Sequence, residues 1–194
     1  MDERTDKVAS DPSGQSDGML LPDSAYEEEM TEEDRLLLKE ADHQYTGSFS
    51  HTIDAKGRMV VPLAFRTMLG PKFYIAPSHD FQAIGLYSNV AWARMRHRYA
   101  TLDPLNDHML TFLEFFNALS FRDQECDGQG RVLLPARIRA QMLGDEKELE
   151  ISGAGYYVRV MSSKAYMEQF AAFRQMMPDV KKTINMLEAR RLGQ

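Results

Sequence analysis

The chain has 194 residues, of which 43% are hydrophobic and a single one, Cys126, is cysteine. That is enough apolar content for a packed core; it excludes an intrachain disulfide, and no run of about 18 apolar residues offers a membrane span. The formal charge of −6 is unevenly held: the first 44 residues carry 14 acidic and four basic side chains, the remaining 150 carry 15 and 19.

An acidic stretch ahead of a mildly cationic body is compatible with a polyanionic partner. The polar, acidic start lacks an apolar h-region and predicts no secretory signal. With one thiol, the expected location is a reducing cytoplasm. Residues 1–44 are expected to form an acidic, largely disordered extension. Within it, Ser24 and Glu27 have capping-box spacing for a helix reaching Glu40. The segment reads as a solvated tail, or more sharply as an acidic cover for the basic body when its partner is absent.

From Tyr45 the pattern changes. Phe49, His51 and Ile53 alternate with Ser48, Ser50 and Thr52, which predicts a strand over 45–54. Asp54-Ala-Lys-Gly57-Arg58 is a turn, because Asp caps through its side chain and Gly tolerates positive φ. Met59 to Val61 forms a short strand, and Pro62 opens a helix over Leu63–Leu69 that Gly70 closes. Phe73–Pro77 and Ala83–Tyr87 are two more strands, after which Ser88 caps a helix holding Trp92, Met95 and Tyr99.

The same order then recurs. Asp127-Gly-Gln-Gly130-Arg131 repeats the turn, Val132 to Leu134 the strand, and Pro135 to Leu143 the proline-initiated helix. Strands at Leu149–Ile151 and Tyr156–Met161 follow, and Ser162 repeats the cap ahead of Tyr166 and Phe170. The offset is 73 residues between Asp54 and Asp127 and 74 between Ser88 and Ser162, the mark of a duplicated unit. Units this small bury too little surface alone, so the two copies are expected to pack as an intrachain pseudo-dimer. Between them, Leu105, Met109, Phe112, Leu113 and Phe116 lie on one face of a helix. After Pro178, Val180, Ile184, Leu187 and Arg191 predict a last short helix.

Tyr45-Thr-Gly, Asp54-Ala-Lys-Gly-Arg-Met-Val-Val-Pro62 and Asp127-Gly-Gln-Gly-Arg-Val-Leu-Leu-Pro135 closely resemble the MraZ family, which carries two SpoVT/AbrB-type domains in one chain. The resemblance covers roughly residues 45–170. It implies an α+β, β-rich fold of two tandem AbrB-like, swapped-hairpin barrel units with short helices. It divides the chain into the extension 1–44, a first domain 45–92, linking helices 93–120, a second domain 121–166 and a helical tail 167–194. It further implies a ring-like homo-oligomer in the cytoplasm and nucleoid. Such a ring would bind double-stranded DNA at short repeats upstream of its own cell-division and cell-wall gene cluster. Arg58 is the position the resemblance ties most closely to DNA. The second copy ends Tyr157-Val-Arg-Val-Met161, where the family tends to have an aromatic–Glu–aliphatic–Trp pattern.

The residue chemistry fits this expectation. Gly57 permits a tight reversal that presents Lys56 and Arg58 at its tip, and a guanidinium can fork onto phosphate or pair with guanine. The candidate DNA contacts are Arg58, Lys56, Arg131, Arg66 and Arg139; Asp54, Gly57, Asp127 and Gly130 are assigned to the turns themselves. A bland alternative stands beside this, in which each Asp–Arg pair simply holds its turn. Arg94, Arg96, His97, Arg98 and Arg137 are less specific cations. Histidines at 43, 51, 79, 97 and 108 show no ligand spacing, so neither metal nor cofactor is expected. Ser78-His79-Asp80 has triad residue types without triad geometry, and no catalytic or small-molecule site is expected. The competing function is an AbrB-like protein-interaction scaffold whose acidic tail engages a partner.

Overall fold

The computed structural model describes residues 44–100 and 106–192. The acidic extension, its helix from Ser24 and the position of Leu105 therefore lie outside the described residues.

The first repeat runs β1 (Ser48–Thr52), β2 (Arg58–Val60), α1 (Leu63–Leu69), β3 (Phe73–Pro77), β4 (Ile84–Ser88) and α2 (Asn89–Ala100). After α3 (Asp107–Ala118) the second repeats it: β5 (Phe121–Gln124), β6 (Arg131–Leu133), α4 (Ala136–Met142), β7 (Glu148–Gly153), β8 (Val158–Ser162) and α5 (Ser163–Leu192). The fold is mixed α+β. Six strands form an antiparallel sheet in the order β1-β7-β8-β4-β3-β5, and β2 pairs with β6 in a separate ribbon.

That order reads the same from either end. The first strand of each repeat lies on the hairpin of the other: β1 pairs with β7, with Phe49 opposite Ile151, and β5 pairs with β3, with Phe121 opposite Ile75. At the centre β4 meets β8, Ile84 facing Val160. The β5 pairing carries a bulge, where Asp123 takes φ of 54°. Neither repeat is complete without the other's strand.

Alternation along the strands sorts side chains onto two faces. On one face Phe73, Ile75, Ile84, Leu86, Val158 and Val160 join Met59, Val61, Phe65, Val132, Leu134 and Ile138 in a core drawn from both repeats. On the other, Ala76, Tyr87 and Tyr157 pack with Phe116 and, less deeply, Trp92, Tyr99 and Phe112 of the covering helices. Tyr74 stacks on Trp92 at 4.3 Å, and Trp92 on Phe116 at 5.7 Å.

Local chemistry sets the helix ends. Pro62 and Pro135, at φ of −51° and −54°, precede α1 and α4. Ser88 and Ser162 accept from the N–H groups of Ala91 and Ala165, each at 3.2 Å, and cap α2 and α5. Asn106 caps α3 through the N–H of Met109 at 3.1 Å.

Two expectations need correction. The strand expected over 45–54 is confined to Ser48–Thr52, because Tyr45 instead forms an isolated bridge with Gly155. The break expected at Pro178 is absent: α5 is one helix of 30 residues with Pro178 inside it. A proline there removes one N–H and crowds the preceding turn, at a cost of about 3 kcal/mol. The good helix formers on both sides, and the 30-residue length, carry the helix through.

Candidate nucleic-acid interface

The site is built on the β2–β6 ribbon and the two turns that lead into it. Arg58 faces Leu133, Met59 faces Val132, and Val60 faces Arg131. Met59 and Val132 point into the core, so the alternate residues form the outer face. That face carries two half-buried arginines set diagonally, with exposed Val60 and Leu133 between them.

Each arginine is positioned by the aspartate four residues before it. Asp54 Oδ1 accepts from the backbone N–H groups of Lys56 and Arg58, both at 2.9 Å. Its Oδ2 takes Arg58 Nε at 2.8 Å and Nη2 at 2.7 Å. Asp127 repeats this with Gln129 and Arg131 N–H at 2.9 and 3.0 Å, and with Arg131 Nε and Nη2 at 2.8 Å. The Arg58 N–H and then its side chain hold the Asp54 carboxyl down at about 2; at Asp127 the Arg131 side chain leads and its N–H follows, with the same result. Both acids stay ionised and keep their arginines in place.

Gly57 and Gly130 close the turns at φ of 79° and 76°. Each turn is also locked to the opposite repeat. The Gly57 carbonyl accepts from Leu134 N–H and the Gly130 carbonyl from Val61 N–H, both at 2.9 Å. Arg139 of α4 lies across Gly57, its Nη1 in the space a Cβ there would occupy, and Arg66 of α1 lies across Gly130 in the same way. Arg66 and Arg139, expected as DNA contacts on the helices that follow the turns, are each brought to the turn of the other repeat. Their 73-residue offset, shared with the turns, was the available signal.

The two ends are not equal. The first turn gathers Lys56, Arg58 and Arg139, and Arg137 is exposed on the same helix as Arg139. The second gathers Arg131 and Arg66, with Gln129 at the place of Lys56. Val60 and Leu133, absent from the candidate residues, belong to the outer face by the two-residue alternation of a strand.

No family model matches the chain. Individual relatives do. It is 34% identical to the transcriptional regulator MraZ of Thermoanaerobacter sp. (strain X514) over 122 residues, 63% of this chain and 83% of that protein. It is 33% identical to that of Moorella thermoacetica over 124 residues, 64% of this chain and 85% of the relative. It is also 33% identical to that of Acetivibrio thermocellus over 116 residues, 60% and 79% of the two chains. The chain belongs to the MraZ family.

Several other polar groups in this MraZ-family chain have structural partners. Ser78 is buried; its hydroxyl donates to Asp80 Oδ1 at 2.5 Å and accepts from Ala83 N–H at 3.0 Å. Asp80 Oδ2 pairs with Arg159 at 2.8 Å. Burial alone would raise the Asp80 pKa, but the Ser78 hydroxyl, the Gln82 N–H and Arg159 together bring it below its ordinary value. The triad residue types are therefore the parts of a tight turn. Arg96 donates to Asn117 Oδ1 at 2.8 Å and ties α2 to α3. A cavity of about 470 Å³ is lined by His79, Tyr87, Arg94, Arg98, Tyr99 and Tyr157, among others. Burial pushes the Tyr87 hydroxyl far above its ordinary pKa, and it donates to the Pro77 carbonyl at 2.9 Å. Among the described residues no cluster of His, Cys, Asp or Glu is placed to hold a metal, and no helix is long and apolar enough to cross a membrane.

Proposed function

We propose that this MraZ-family chain is a sequence-specific, non-enzymatic transcriptional regulator that binds double-stranded DNA through its two D-x-x-G-R turns. The observation that carries the proposal is the ribbon itself: two arginines, each oriented by an ionised aspartate, on the outer face of a two-stranded strand pair. A two-stranded ribbon fits the major groove of B-DNA. With Nε and Nη2 held by Asp54, Arg58 keeps Nη1 for a phosphate or base edge, and its entropy of ordering is already spent. Lys56 and Arg139 add phosphate contacts at the same end, and Arg66 does so beside Arg131.

The cross-laid strands support two tandem SpoVT/AbrB-type units, 45–92 and 121–166, joined by helices over 93–120 and followed by the tail 167–194. One turn pair binds weakly. A ring-like homo-oligomer presenting many pairs would engage short repeats upstream of its own cell-division and cell-wall genes together, through effective concentration. The setting is the cytoplasm, at the nucleoid.

Salt titration of binding to DNA from upstream of the protein's own gene tests this. Log K should fall by roughly 0.9 per neutralised phosphate for each decade of salt. Binding absent at low salt, with the protein folded, would favour an AbrB-like interaction scaffold instead.

A further inference from the structure

Most of α5 lies outside the needs of the core. The contacts it makes with the body are chiefly with β7 and β8, yet it runs for 30 residues, roughly 45 Å at helical rise. Along it Phe170, Phe173, Met177, Val180, Ile184 and Leu187 follow each other by alternating steps of three and four residues. Tyr166 extends the series by one step to the N-terminal side. This is the a/d seam of a left-handed coiled coil, sustained over about three heptads. Phe170, Phe173, Ile184 and Leu187 remain 46–55% exposed.

The first repeat shows what such a face requires. At the 74-residue offset Tyr166, Phe170 and Phe173 correspond to Trp92, Arg96 and Tyr99 of α2. There Trp92 and Tyr99 are covered by Phe112 and Phe116 of α3, a helix that among the described residues occurs once. Pro178 falls at a b position, off the seam, so its ring does not obstruct a partner there.

We infer that α5 pairs through this seam with α5 of a second copy, antiparallel. In that orientation Val180 layers with Ile184 of the second copy and Met177 with Leu187, so the pairing covers the C-terminal half of the seam and leaves Phe170 and Phe173 beyond its apolar layers. Arg174 then comes beside Glu188 at both ends of the contact, two opposite-charge pairs across the seam. A parallel pairing sets Gln169 against Arg174, Met176 against Lys181 and Thr183 against Glu188, and gains none. The antiparallel register sets the two copies of Lys181 against each other at the two-fold axis, one like-charge contact against the two favourable pairs, and points the two bodies away from each other. One pair of copies thereby carries two DNA-facing ribbons, whatever other contacts the assembly uses.

The test uses the full chain in two measurements. In a Cys126→Ser background, Lys181→Cys is oxidised and compared with Gln175→Cys, which lies on the outer face of the helix. Sedimentation velocity at tens of micromolar then compares wild type with Ile184→Lys Leu187→Lys, checking by thermal melting that the body still folds. The pairing predicts a disulfide-linked dimer at 181 and little at 175, and an assembled mass that falls at least twofold in the double variant. An unchanged mass, or equal cross-linking at 175 and 181, overturns it.

Discussion

The guanidinium of Arg139 occupies the space that a side chain on Gly57 would need, and Arg66 stands in the same relation to Gly130. The turn of one repeat and the helix of the other are therefore parts of one site. Gly57→Ala is strained by its positive φ, while the flexible end of Arg139 can swing aside. We expect it to lose about 1 kcal/mol, and nearly the same in an Arg139→Ala background. Urea unfolding followed by the single Trp92 measures both. A loss that vanishes in the Arg139→Ala background would show that crowding, and not the backbone, sets the cost.

Asp54 and Asp127 ordinarily titrate at 3.8 and are held at about 2 in the folded chain. A depressed carboxyl contributes stability that is complete above about pH 4 and disappears as pH falls through about 2. Asp54→Asn should therefore be less stable than wild type at pH 7, and the gap should close toward pH 2. Unfolding midpoints across that range decide it. A gap of constant size contradicts the assignment of charge to the turn.

Ser78 and Asp80 hold a turn, not a reaction. Ser78→Ala removes the acceptor for the buried Ala83 N–H, at a cost of roughly 1–3 kcal/mol. Thermal melting should show that loss while DNA affinity stays within a factor of two. A selective loss of affinity at unchanged stability would give the turn a place in binding.

Residues 1–44 carry a net of ten negative charges, which repel DNA. Deleting them should leave the melting temperature of the body unchanged and should hold or raise DNA affinity, measured at constant salt. A large loss of affinity would mean that the segment orders the binding surface.

The duplicated order of elements, the serine caps and the proline-led helices were legible because each is local: a cap, a turn or a periodicity spans few residues. Asp54 through Val61 named its own turn and strand. The laying of β1 on β7 and β5 on β3 was not legible, since alternation tells which face a residue takes but not which strand it meets. For the same reason Arg66 and Arg139 were placed among the DNA contacts by charge and position on a helix, and their place over Gly130 and Gly57 came only from the pairing of the repeats. Pro178 misled because a single residue's propensity was weighed against a short apolar run, not against the whole 30-residue helix.

The most direct measurement is fluorescence anisotropy of Arg58→Ala, Arg58→Lys and Arg131→Ala on DNA from upstream of the protein's own gene, at two salt concentrations. Arg131→Ala removes the equivalent Asp–Arg pair of the second DNA-facing turn, and thermal melting of each variant controls for the structural loss. A DNA-facing Arg58 predicts equal thermal destabilisation in the two alanine variants. It also predicts at least a tenfold weaker affinity for Arg58→Ala, only partly restored by lysine. Wild-type affinity in a folded Arg58→Ala would contradict the role of this turn in DNA binding.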